Sequence, residues 1–130
     1  MTANWIDLVD PTREEILQAV ANPLDPDAVE MLLNPVGGER GARPMLEAHG
    51  GYVLAVLSRP SVAPGGNRVE YFELDLVASP SVVVTIRHSG RQGALAPVDG
   101  IAVRVAAGAS SGEIVHAAVD DAADALLELL

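Results

Sequence analysis

EYFELDLVASPSVVVTIR, residues 70–87, is the stretch that decides the fold. Phe72, Leu74 and Leu76 alternate with Glu73 and Asp75, the two-residue period of a strand with one face on a core and the other half exposed. Ser79-Pro80 interrupts the alternation with a tight turn. The run from Val82 to Ile86 then stays apolar without alternating, which predicts a central strand covered on both faces.

Working outward, the upstream flank supplies strands and helices with clear punctuation. WIDLV at 5–9 reads as a strand ending at Asp10-Pro11. Thr12 and Glu15 have capping-box spacing, where each side chain satisfies a free backbone donor at the other's position. Ile16, Leu17 and Val20 give that helix an apolar face, and Asn22-Pro23 stops it. A second helix starts with Asp25 as N-cap and Pro26 at its first position, buries Val29, Leu32 and Leu33, and ends at Asn34-Pro35. Residues 36–42 (VGGERGA) read as a loop. Arg43 to Ser58 reads as a hairpin turning at His49-Gly50-Gly51, and PGGN at 64–67 as a second turn.

Downstream, residues 89–100 are glycine-rich, and a helix is expected from about Pro97 to Ala107, closed by Gly108. Ser110 and Glu113 repeat the capping-box spacing. Ile114, Val115, Val119, Ala122, Leu126 and Leu130 then recur at helical intervals as the expected buried stripe. No glycine, asparagine, proline or basic last turn ends this helix, and Glu128 sits at the negative end of its dipole. The helix is therefore expected to run on beyond Leu130.

Composition narrows the function. A chain of 130 residues with 49% apolar content is one globular domain. Cysteine is absent, which excludes disulfides, thiolate metal sites and cysteine nucleophiles. Eighteen acidic residues against eight arginines and no lysine give a net charge of −10. That balance repels nucleic acid and anionic lipid and attracts hard divalent cations, although acidity also simply keeps a protein soluble. No stretch approaches the roughly 18 apolar residues of a membrane span, and MTANWIDLVDP lacks the basic start of a signal peptide, so the chain reads as cytoplasmic.

Five strings taken in order, WIDLVDPTREE, LDPDAVEMLLN, RPMLEAHGGYVLAVL, EYFELDLVASPSVVVTIR and IVHAAVDDAADALLELL, resemble the cytoplasmic domain of the CorA magnesium transporter family. They cover essentially residues 5–130. The resemblance implies an α/β fold, a mixed sheet between helical layers (an α/β/α sandwich). Residues 1–109 would form the α/β unit and 110–130 the start of a long stalk helix. It also implies self-association as a homo-pentamer, and a regulatory, metal-sensing role rather than transport, because the family's Gly-Met-Asn pore motif is absent from this sequence. Magnesium is the implied ion, with cobalt and zinc as alternatives, held weakly between subunits.

Residue by residue, Glu30 matches one carboxylate of that intersubunit site, and Asp120 and Asp124 match the paired stalk aspartates. Met31 departs from the pattern, standing where an aspartate usually sits, so the site is expected to be depleted. The plainer reading of Asp120, Asp121, Asp124 and Glu128 is a solvated helix face; no arginine follows Arg104 to pair with them locally. Glu30 is equally an ordinary surface residue, and Met31 suits packing better than ligation.

His49, His88 and His116 have no ligand spacing, and His116 with Asp120 makes two ligands, not a site. GGERG at 37–41 lacks phosphate-loop spacing, and Ser110-Ser111 lacks the context of a nucleophile. With no acid/base constellation the chain is not expected to be an enzyme. The alternative function is a stand-alone, non-transporting interaction module of the same fold, held as an oligomer by its apolar terminal helix.

Overall fold

A computed structural model describes residues 1–34, 44–62, 65–66, 68–90 and 94–130. The elements in chain order are β1 (Asn4–Val9), α1 (Arg13–Ala19), α2 (Pro26–Leu33), β2 (Met45–His49), β3 (Tyr52–Val62), β4 (Val69–Ala78), β5 (Val82–Arg87), α3 (Asp99–Arg104) and α4 (Ser111–Leu127). The expected loop at 36–42, Arg43 at the start of the hairpin, and Pro64 and Asn67 of the second turn lie outside the described residues. Gly65 and Gly66 take φ of 98° and 75°, a left-handed backbone that glycine adopts without a Cβ penalty.

Five strands form one mixed sheet in the order β1-β5-β4-β3-β2, with β1 parallel to β5 and every other pair antiparallel. The parallel pair follows from chain length: β1 reaches β5 only after two helices and three strands, whereas the β3–β4 and β4–β5 pairs close through short turns. β5 is flanked on both sides and is buried along its apolar run, as its unbroken pattern predicts.

Alternation sends side chains to two cores. Ala55, Leu74, Leu76, Ala78 and Val83 meet Ile101 of α3 and Ile114, Ala117 and Ala118 of α4. Tyr52, Leu54, Val77, Val82, Val84 and Ile86 meet Ile16 of α1 and Ala28 and Leu32 of α2. Each fully buried Leu or Ile contributes roughly 1.5–3 kcal/mol. The result is the expected helical layer on each face of a mixed sheet.

Both expected capping boxes form. Thr12 and Glu15 close the start of α1, and Ser110 and Glu113 the start of α4. Asp25 caps α2 with Pro26 behind it, and Asn34 ends that helix.

Three expectations are corrected. α3 spans only Asp99–Arg104 rather than 97–107, because Val98 provides no side-chain cap and Val105 is already extended. Gly108 (φ 80°) belongs to the turn before α4 instead of closing α3.

The stripe that α4 buries is Ile114, Ala117, Ala118, Asp121 and Ala125, while Val119, Leu126 and Leu130 are exposed. Small residues let the helix lie close on the sheet, so spacing alone, weighted by side-chain size, picked the wrong face. Asp75, expected on the half-exposed face of β4, is fully buried. Among the described residues, no helix is long and apolar enough to cross a membrane.

Candidate functional site

The charged centre of the molecule lies where α3 ends beside α4. Arg104 is the last residue of α3, and its guanidinium reaches three aspartates of α4 at once. Nε lies 3.4 Å from Asp120 Oδ2, Nη1 donates to Asp121 Oδ1 at 2.9 Å, and Nη2 donates to Asp124 Oδ2 at 2.6 Å. Nη1 also donates to the Gly100 carbonyl at 2.7 Å. The Asp124 hydrogen bond is the main cause of an upward shift in the Arg104 pKa, opposed by desolvation and reinforced by Asp121. From β3, Arg59 Nε donates to the other oxygen of Asp121 at 3.0 Å.

Helix spacing explains who is buried. Asp120 and Asp124, one turn apart, are half exposed along the α3 side, while Asp121 turns inward and is only 6% exposed. Its burial is tolerable because two guanidiniums from separate elements neutralise it. The backbone of α3 comes so close that a Cβ on Gly100 would stand 2.0 Å from Asp121 Oδ1.

Arg104 separates two open clefts. One, of about 380 Å³, runs past Arg59, Asp121, Asp124 and Glu128; the other, of about 560 Å³, runs past Ser110, Glu113, His116 and Asp120.

Glu30 is elsewhere. It sits on α2, across the sheet from α4, where it pairs with Arg13 of α1 and accepts from Asn34 Nδ2 at 3.3 Å. One chain therefore brings Asp120 and Asp124 together but not Glu30 with them. All three carboxylates already face an arginine of their own chain. Among the described residues, no three His, Asp or Glu side chains group so as to hold a metal ion. Within a single chain the residues implied by the resemblance do not fit a divalent-cation site. Met31, the departing position, packs against the α1/α2 core.

The histidines have ordinary surroundings. His49 stacks on Tyr52 at 4.7 Å between ring centroids, and His88 Nε2 lies 2.8 Å from the Leu32 carbonyl. His116 is exposed on α4.

Two polar centres escaped the sequence reading. Trp5 Nε1 donates to Thr85 Oγ1 at 2.9 Å, Thr85 donates to Asp7 at 2.7 Å, and Arg87 Nη2 donates to Asp7 at 2.6 Å, stitching β1 to β5. Asp75 is the second: fully buried on the α1/α2 face, with neither carboxylate oxygen offered a nitrogen donor among the described residues. His88 Nε2 stands 3.9 Å away, beyond hydrogen-bonding distance. Burial pushes the Asp75 pKa up to about 9, and the Glu73 carboxyl on the same strand face adds to the rise. The signal available was an aspartate set within the otherwise apolar second half of β4, Leu74 to Ala78.

No protein-family model matches the sequence, and no curated protein matches it. Among solved structures, that of the full-length CmaX protein overlays with a TM-score of 0.66 at 21% identity, covering 96% of this chain and 37% of CmaX. That likeness speaks for the fold. The chain spans little more than a third of the length of the protein it overlays.

Proposed function

We propose that this chain is a regulatory domain of a CorA-like divalent-cation transport protein, non-enzymatic, acting on the cytoplasmic face of the membrane as an assembly of copies. One observation carries the proposal. The five family-like segments fall in order on β1–α1, α2, β2–β3, β4–β5 and α4, in a fold shared over 96% of the chain with full-length CmaX.

Glu30 and the aspartates Asp120 and Asp124 lie on opposite helical layers, so an ion using all three would join Glu30 of one copy to the aspartates of a neighbour. Oxygen ligands and retained water suit magnesium, with cobalt and zinc as alternatives. The ion would meet Arg13 and Arg104 already in place, which accords with a weak site.

The test is a titration of the 130-residue chain with magnesium at about 1–10 mM, a range suited to weak oxygen-ligand sites. A higher melting temperature or larger species in analytical ultracentrifugation is expected, with Asp120→Ala weakening the response. A flat response removes cation sensing and leaves the fold untouched. The exposed Val119, Leu126, Leu127 and Leu130 of the last helix and tail favour a second reading, an interaction module. Self-association indifferent to magnesium would select it.

A further inference from the structure

We infer that His88 is a hydrogen-bond switch set by the proton on Asp75. Its Nε2–H serves the Leu32 carbonyl at the end of α2 while Asp75 is protonated, and turns to the Asp75 carboxylate once that proton is lost. The switch lies on the α1/α2 face and stands apart from the cation-responsive function proposed above.

Leu32 belongs to the last turn of α2, where backbone carbonyls run out of partners within the helix. The residue is fully buried, and the last turn carries no basic side chain of its own. His88, the residue after β5, reaches across with Nε2 2.8 Å from that carbonyl. A carbonyl only accepts, so Nε2 carries the hydrogen and the ring donates. The same nitrogen stands 3.9 Å from Asp75 Oδ2, and a movement of about 1 Å would bring the two within bonding range. One N–H therefore lies between two acceptors and serves only one of them at full strength.

Charge decides which acceptor wins. A hydrogen bond to a carboxylate is roughly twice as strong as one between neutral groups, whereas a protonated carboxyl competes poorly with a helix-end carbonyl. Asp75 is fully buried, and burial together with the neighbouring Glu73 carboxyl holds its proton up to about pH 9. Losing it leaves a buried charge that needs a donor, and His88 Nε2 is within reach. The other charged groups of this layer are engaged elsewhere. Asp10, which also faces His88, accepts from the backbone N–H and the hydroxyl of Ser89. Arg13 of α1 pairs with Glu30 of α2, and Glu47 of β2 with His49. Serving Asp75 strips Leu32 of this donor, so a proton lost inside the sheet is felt at the end of α2.

The experiment is carbon-13 and nitrogen-15 NMR of the labelled 130-residue chain between about pH 7.5 and 10.5, a range that brackets the expected Asp75 midpoint. The Asp75 carboxyl carbon, the Leu32 carbonyl carbon and His88 Nε2 are expected to shift together, with one midpoint at about 9. In His88→Phe the Asp75 carboxyl should still titrate while the Leu32 carbonyl stays still; in Asp75→Asn neither Leu32 nor His88 should respond. Hydrogen exchange should show the amides from Glu30 to Asn34 losing about three- to tenfold more protection than those of α1, the worth of one lost hydrogen bond. A Leu32 carbonyl that stays put while Asp75 titrates overturns the inference, as does one that still moves in His88→Phe. An Asp75 carboxyl already ionised at the start, or equal loss of protection in both helices, overturns it too. Should His88→Phe fail to fold, wild type decides: a His88 Nε2 resonance that ignores the Asp75 midpoint overturns the switch.

Discussion

Asp121 and Asp75 are both buried aspartates, one on each face of the same sheet, and the fold treats them in opposite ways. Asp121 sits between Arg59 and Arg104, each contributing a direct hydrogen bond to a different oxygen. Among the described residues Asp75 has no nitrogen donor within hydrogen-bonding distance, and it lies beside a second carboxyl, Glu73. A buried carboxylate persists where cations are brought to it; without them, retaining the proton is cheaper than burying the charge. The α4 face thus carries a fixed ion-pair network that joins three elements. The α1/α2 face carries a carboxylic acid whose state depends on pH.

The largest effect expected from breaking this contrast is at Asp121. Asp121→Ala leaves the half-buried Arg59 and the exposed Arg104 with one anchor removed, and strands Arg59 without its carboxylate, so urea denaturation should show a loss of about 3 kcal/mol. The value lies within the range for a broken buried pair, held down because both arginines keep an edge in solvent. Unchanged stability would mean that the network is ornamental and the two aspartates are alike.

Asp75 should respond with the opposite sign. Above about pH 4 the unfolded chain releases the proton that the folded chain holds up to about pH 9. Folding then takes up a proton, so stability falls as pH rises through that window, by about 1.4 kcal/mol per unit. Glu73 and His88 also face this carboxyl. Asp75→Asn should flatten the slope and, at pH 8, exceed wild type by roughly 2–3 kcal/mol in urea denaturation. A wild-type stability that rises with pH would show Asp75 to be ionised and paired after all.

The contrast also marks what the sequence disclosed. Strands and caps were legible because they depend on local period and local hydrogen bonding: Thr12 with Glu15, Ser110 with Glu113, and the unbroken Val82–Ile86 run; the helical layer on each face of the sheet was implied by the family resemblance alone. Both buried aspartates were misplaced because their surroundings are assembled from distant segments. Asp121 looked solvated since no arginine lies nearby on its own helix, yet its partners come from 17 and 62 residues away. Asp75 looked half exposed since alternation reports which face a residue takes, not whether a helix covers that face. The buried side of α4 was missed for a related reason: close packing selected Ala117, Ala118 and Ala125 over larger neighbours. Glu30 is exposed on α2, and its separation from Asp120 and Asp124 is a property of topology that no spacing reveals.

The smallest expected effect is the sharpest test of how tightly Asp121 is seated. Gly100 lies inside α3, where alanine is ordinarily favoured by about 1 kcal/mol. Here the added Cβ would meet Asp121 Oδ1 at 2.0 Å, its Cγ at 2.8 Å and Arg104 Nη1 at 3.0 Å. An aspartate side chain is short, and this one is gripped from two sides, so it has little freedom to withdraw. Overpacking of this kind typically costs 1–3 kcal/mol, about enough to reverse the propensity gain. Gly100→Ala is therefore expected to lose up to about 2 kcal/mol in thermal or urea unfolding. A stabilised Gly100→Ala chain would mean that Asp121 swings away freely, and that the ion-pair network on the α4 face is far looser than its distances suggest.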